Sequence, residues 1–185
     1  IPEGVTTIGE CAFMFCNRLK GVMIPEGVTT IGECAFVFCS SLTSVTIPDG
    51  VTSIGNYAFY QCTKLTYAAI ADSVTSIGLS AFYECSSLEY LELSQSVTTI
   101  GASAFESTDI RSLTIPASCT SIDDGAFRGC YELRMLTLSE GLVSIGENAF
   151  SGCIGIASVT IPASVLSIGR SAFGWCDSLT GIQVA

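Results

Sequence analysis

The dipeptide Ala-Phe recurs down the whole chain at an almost fixed interval, and nothing else in the sequence constrains the fold as much. Its phenylalanines are Phe13, Phe36, Phe59, Phe82, Phe105, Phe127, Phe150 and Phe173, spaced by 23 residues except for one step of 22 after Phe105. Other columns keep the same ruler. Ile8, Ile31, Ile54, Ile77, Ile100, Ile122, Ile145 and Ile168 form one, nearly always followed by Gly. Cys16, Cys39, Cys62, Cys85, Thr108, Cys130, Cys153 and Cys176 form a second. A third runs from Leu19 to Leu179, and a fourth, aliphatic throughout, from Ile24 to Val184. Eight copies in register exclude chance. An array of this period predicts a solenoid, in which no unit closes a core alone and stacking turns each column into a continuous apolar rung.

Residues 42–64, LTSVTIPDGVTSIGNYAFYQCTK, show the logic of one unit. Leu42 to Ile47 ends in apolar/polar alternation with β-branched residues and predicts a short strand with one buried face. Pro48-Asp49-Gly50 stops it, because Pro donates no backbone hydrogen bond and Gly permits a turn. Val51 to Ile54 predicts a second short extended piece, and Gly55 turns the chain. Asn56 to Cys62 suits one or two helical turns that bury Phe59 and Cys62 at i, i+3.

The resulting pattern, L-x-x-V-x-I-P-x-x-V-x-x-I-G-x-x-A-F-x-x-C-x-x, resembles the BspA-like, bacterial-surface-antigen type of leucine-rich repeat over essentially the whole chain. The resemblance implies an α/β-type repeat solenoid: a right-handed coil with a parallel β-sheet on its concave face and short strands and helical turns on its convex face. It also implies a place on a bacterial or protozoan surface, or secretion, and binding to host or partner proteins. Residues 1–185 read as a single array of about eight 23-residue repeats. The chain opens mid-repeat at Ile1-Pro2 and ends at Val184-Ala185, and solenoids need polar caps. We therefore expect a window from a longer protein, whose exposed ends would allow end-to-end self-association.

Composition narrows the chemistry. There are 7 Lys+Arg against 17 Asp+Glu, a net charge of −10, and no His. Such a chain repels phosphate, so no nucleic-acid partner is expected. Mean hydropathy is high at +0.57, yet no apolar run approaches the ~18 residues of a spanning helix, so no direct membrane insertion by this segment is expected. Without His, a Ser-His or Cys-His nucleophile pair cannot form. No phosphate-binding or dinucleotide-binding glycine motif and no G-x-S-x-G occurs. Asp123-Asp124 and the pair Glu89 and Glu92 read as a solvated acidic face. The chain is not expected to be an enzyme or to carry a cofactor or a metal.

The ten cysteines look at first like a disulfide scaffold. Seven share one column, however, where Cys acts as a small buried apolar residue. Cys119 takes a slot otherwise held mostly by Val. Cys11 and Cys34 fall in a variable, often polar column, and either free thiols or a mutual disulfide fits them. A zinc site from Cys11, Cys16, Cys34 and Cys39 is disfavoured. Five residues apart on a helical turn, each pair would point roughly 140° apart.

Solenoids bind through their extended faces. Eight strands at about 4.8 Å spacing would give a concave sheet roughly 35–40 Å long. Its outward positions are mostly Ser and Thr, and the departures cluster mid-array. Tyr67 and Tyr90 should be lateral neighbours, with Glu89, Glu92, Arg111, Arg134 and Met135 beside them. Tyr, Arg and Met are enriched in interface cores. This patch is the candidate protein-binding surface. The competing reading is repeat drift with in-sheet pairing, Tyr on Tyr and Glu on Arg. The 22-residue unit around Glu106 to Ile110 falls in the same region, either as a defect absorbed on the convex side or as a shaped feature. Function reads as a protein–protein interaction module of a cell-surface protein, adhering to a host or matrix protein through the concave face. The alternatives are a structural stalk and an intracellular scaffold, the latter suited to free thiols.

Overall fold

A computed structural model describes residues 1–185. Each repeat makes one coil of a parallel β-solenoid. The two-residue pieces ending in the Ile column form the backbone of the fold. They are β1 (Thr7–Ile8), β2 (Thr30–Ile31), β4 (Ser53–Ile54), β6 (Ser76–Ile77), β8 (Thr99–Ile100), β10 (Ser121–Ile122), β12 (Ser144–Ile145) and β14 (Ser167–Ile168). They pair in that order as one unbroken parallel sheet of eight strands. The glycine after Ile is required by close approach: a Cβ on Gly55 would sit 2.6 Å from the carbonyl carbon of Gly32 in the coil below.

The longer strands are β3 (Ser44–Ile47), β5 (Tyr67–Ile70), β7 (Tyr90–Glu92), β9 (Ser112–Ile115), β11 (Met135–Leu138), β13 (Ser158–Ile161) and β15 (Gly181–Val184). Here the sequence expectation is corrected. The long strands do not make one continuous eight-stranded sheet. They form three pieces, β3-β5-β7, β9-β11 and β13-β15, and Lys20 to Ile24 of the first coil is not a strand.

The α/β-type class and its helical turns are also corrected, since the chain contains no helix and is a parallel β-solenoid. Between Gly55 and Cys62 the N–H groups alternate between two destinations. Ala58, Tyr60 and Cys62 donate to the carbonyl three residues back, whereas Tyr57, Phe59 and Gln61 donate to Leu79, Ala81 and Tyr83 of the next coil at 2.7–2.8 Å. A helix is impossible because two residues per coil adopt left-handed backbone, here Tyr57 (φ 56°) and Gln61 (φ 54°). L-residues do not sustain that conformation every fourth position of a helix. The same two columns hold Gly125 (φ 64°), Gly129 (φ 69°) and Gly152 (φ 77°). The turn side is thus a stack of β-turns bonded coil to coil. Ser107 (φ 58°) sits in the second column and its hydroxyl makes no hydrogen bond. Ser107→Gly should raise stability by about 1 kcal/mol, and Ser107→Val should lower it by roughly 1–2 kcal/mol. Urea unfolding of the two variants checks this.

The core is one cluster of 49 buried residues. Its spine is the Phe column, whose adjacent rings stack 5.0–5.4 Å apart and within 12° of parallel. The Cys column does more than fill space. Each buried thiol of this column donates to a Phe carbonyl in the preceding coil, as in Cys62 Sγ to Phe36 O at 3.3 Å and Cys85 Sγ to Phe59 O at 3.1 Å. That carbonyl already accepts its own coil's Cys N–H, Cys39 to Phe36 at 3.1 Å. The weak S–H donor therefore serves the second lone pair of a buried carbonyl. Cys11 and Cys34 are free thiols, the first exposed and the second half-buried. In the 22-residue unit Thr108 Oγ1 donates to Phe105 O at 2.9 Å. The short-strand sheet crosses that unit without a slip, Ile100 facing Ile122. The missing residue is absorbed on the turn side.

Candidate protein-interaction surface

The breaks in the long-strand sheet follow β7 and β11. Those coils carry Leu91-Glu92-Leu93-Ser94 and Leu136-Thr137-Leu138-Ser139, where regular coils run as Val45-Thr46-Ile47-Pro48. Val45, Ala68, Leu113 and Val159 are fully buried at the inward slot, but Leu91 and Leu136 are only partly buried. Leu reaches further across the core than Val or Ala. Leu91 and Leu136 flank the buried Leu113 on neighbouring coils, and the strand holding each of the two is unpaired toward the coil that follows. Ser94 replaces Pro and donates instead to Val74 O at 2.7 Å.

The first break opens a cleft of about 640 Å³ between β7 and β9. Six of the seven residues singled out from sequence line it: Tyr67, Glu89, Tyr90, Glu92, Arg111 and Met135, above Leu91, Leu93 and Leu113. Arg134 does not line it and pairs with Glu132 at 2.8 Å. Tyr67 and Tyr90 are register partners, but Tyr67 reaches past Tyr90 and donates its hydroxyl to Glu92 Oε1 at 2.9 Å. That bond to a carboxylate raises the phenol's pKa. Arg111 Nη2 lies 3.2 Å from Glu89 Oε2. Tyr90 and Met135 are 58% and 63% exposed, so both rim side chains stand in solvent.

Two features escaped the sequence reading. Phe15, Phe38, Tyr60 and Tyr83 form an aromatic ladder on the turn side, with Phe15 on Phe38 at 4.9 Å and Tyr60 on Tyr83 at 4.9 Å. The run changes column between Phe38 and Tyr60, meeting edge-on at 5.7 Å, so no single column reveals it. Glu106, 4% exposed, is held by Arg128, whose Nε donates to Oε1 at 2.9 Å and whose Nη2 reaches the same oxygen. This pair spans the shortened unit. The carboxylate pair Asp123-Asp124 has a structural part too: Asp124 Oδ1 accepts the Glu147 N–H at 2.7 Å. No group of three or more His, Cys, Asp or Glu converges where it could hold a metal ion. No helix is long and apolar enough to cross a membrane.

The family model for the BspA type leucine-rich repeat region matches residues 1–108 and 52–180, in six copies. The chain belongs to the BspA-type leucine-rich repeat family. Leucine-rich repeat proteins generally bind other proteins, and this BspA-type array has the extended faces for it. A crystal structure of the T. pallidum leucine-rich repeat protein is similar at a TM-score of 0.83 and 28% identity, over 94% of this chain and 82% of that one. A leucine-rich repeat protein from Eubacterium ventriosum matches at TM-score 0.52 and 22% identity, over 99% of this chain and 58% of its own. The pneumococcal vaccine antigen PcpA matches at TM-score 0.54 and 20% identity, over 100% and 61%. These last two share the fold. No curated protein sequence matches the chain significantly.

Proposed function

We propose that this BspA-type array is a protein–protein interaction module of a bacterial cell-surface protein and does no chemistry of its own. Its long-strand face would hold a host or matrix protein, centred on Tyr67, Tyr90, Glu89, Glu92, Arg111 and Met135, with Arg134 beside them. One observation carries the reading: the break between β7 and β9 opens where the exposed Tyr, Arg and Met side chains collect. Elsewhere the face is mostly Ser and Thr, which suit a strand but anchor little, with Met23 standing alone in the first coil. The test is a panel of extracellular-matrix and plasma proteins against the chain and its Tyr67→Ala/Tyr90→Ala variant. Saturable binding weakened at least about tenfold in the variant is the expected result, since hot-spot tyrosines each contribute on the order of 1–2 kcal/mol. Binding that the variant leaves unchanged would move the contact surface elsewhere.

A spacer role has its own support. The eight short strands pair without interruption, and the Phe rings stack through every coil, which suits a rigid rod. Failure of the whole panel would favour it.

A further inference from the structure

We propose that the cleft between β7 and β9 takes an extended cationic segment of a protein partner. One bulky apolar side chain would enter beside Tyr90 and Met135, and a Lys or Arg next to it would meet Glu92. This rests on the reading of the long-strand face as a contact surface and adds the chemistry of what it holds.

The apolar element comes first. Leu91 stands only partly buried at the cleft floor, and Tyr90 and Met135 are exposed at its rim. All three lose water-exposed apolar area when a large side chain covers them. The backbone comes second. β7 and β9 lie side by side but are not paired beyond the Arg111 N–H to Glu89 O bond at 3.4 Å, so the main-chain groups a ladder would consume at the cleft floor are left to a segment lying over it.

Charge decides which chain. Arg111 is already engaged by Glu89 at 3.2 Å. Glu92 is exposed and has no cation, only the Tyr67 hydroxyl at 2.9 Å, which orients its carboxylate toward the cleft lining. Asp109, three residues before β9, is crowded by Glu132 and Glu89. Burial and that crowding hold its carboxyl above the ordinary value despite the nearby Arg111. The region therefore carries more negative charge than its two arginines neutralise, within a chain of net charge −10. An acidic segment is repelled here. A basic one finds an unpaired, oriented carboxylate at the rim of an apolar slot.

The experiment uses the full chain and labelled synthetic peptides of about nine residues, long enough to cross a strand pair. One peptide has a central Trp with Lys two residues to either side. Its twins replace both Lys by Glu, or the Trp by Ala. Fluorescence anisotropy reads the affinity. The Lys peptide should bind at least about tenfold more tightly than either twin, and the advantage over the Glu twin should shrink as salt is raised toward 0.5 M. Glu92→Gln should bring the Lys and Glu peptides to within about threefold of each other. Glu3→Gln, at a distant exposed site, should leave the ratio unchanged. Equal binding of the three peptides, no binding of any, or a Lys preference that survives Glu92→Gln overturns the proposal. If protein ligands bind through Tyr67 and Tyr90 while the peptides show no charge preference, this inference fails and the broader reading stands. If no ligand depends on the tyrosines, the broader reading fails with it.

Discussion

Phe82→Ala should destabilise the protein by about 4 kcal/mol and also split its unfolding into two steps, because the ring is fully buried and closely stacked. Phe82 has no exposed surface. Its ring lies between Phe59 at 5.0 Å and Phe105 at 5.1 Å. Alanine leaves a cavity that neighbouring coils cannot close, since their spacing is fixed by the strand ladder and by coil-to-coil turn bonds on either side. For a chain of this length the loss corresponds to roughly 8–16 °C in melting temperature. The second effect follows from one-dimensional architecture. A solenoid's stability is a sum of unit terms and nearest-neighbour terms, so weakening one central interface uncouples the halves. The chain's single tryptophan, Trp175, is 79% exposed and a weak reporter, so hydrogen exchange in urea, read on peptides from residues 127–185, reports the C-terminal half alone. Far-UV circular dichroism reports both. In urea the two signals should coincide for the parent and diverge for Phe82→Ala. Phe13→Ala is the control. That ring is only partly buried, has one stacking neighbour, and should cost less than half as much. A loss under about 1.5 kcal/mol for Phe82→Ala with coincident signals would show that the Phe column is not the main coupling between coils.

The period, the core columns and the one-sided burial of the strands were legible in the sequence because a stacked array repeats its physics at every coil. Phe36, Cys62, Leu65 and Ile54 are buried for the same reason as their counterparts one repeat away. Two things were not legible. The first was the backbone of the turn side. Asn56 to Cys62 has helical spacing of apolar residues, and spacing cannot distinguish a helical turn from a β-turn pair. The deciding signal lay in other coils, where Gly125, Asn148, Gly129 and Gly152 mark columns that need left-handed backbone. Tyr57 and Gln61 conceal it. The second was the interruption of the long-strand sheet. By residue type Leu93 and Leu138 are conservative replacements of Ile in the aliphatic column, yet each belongs to a Leu-x-Leu-Ser coil that precedes a break. A single replaced residue reads as drift; the two coils that precede a break share the joint change of two inward leucines and the following Pro. The candidate patch was legible by composition, and six of its seven residues share one cleft. Arg134 falls outside because Glu132, two residues away, offers a nearer partner than anything in the cleft.

Raising the pH above 9 should unfold the protein cooperatively, and buried thiols should set the steepness. Burial pushes Cys39 up to about 12 and Cys119 up to about 11, from 9.0 in the open chain. Cys62 and Cys153 are raised further by hydrogen bonding to the neighbouring thiols of Cys85 and Cys130 and by burial. A thiol whose native pKa is raised keeps its proton in the folded state after the unfolded chain has released it. The stability it confers is complete below pH 9 and is lost as pH climbs toward the native value. Each such thiol contributes about 1.4 kcal/mol per pH unit across that window. Four of them acting together give a slope on the order of 5 kcal/mol per pH unit, enough to consume the stability of an ordinary domain by about pH 10–11. Tyr60 and Tyr83, raised by burial and by Glu84, act with the same sign. The general repulsion of an acidic chain also grows with pH, and one substitution separates the two causes. Cys119→Val places the usual residue of its column at that site and removes one titrating thiol without changing the charge at neutral pH. Urea unfolding at stepped pH, under a phosphine reductant, should show a slope lower by about one proton in the variant and a matching gain above pH 9.5. Equal slopes would assign the alkaline loss to net charge. A parent protein stable to pH 11 would mean that burial raises these thiols less than their place in the core implies.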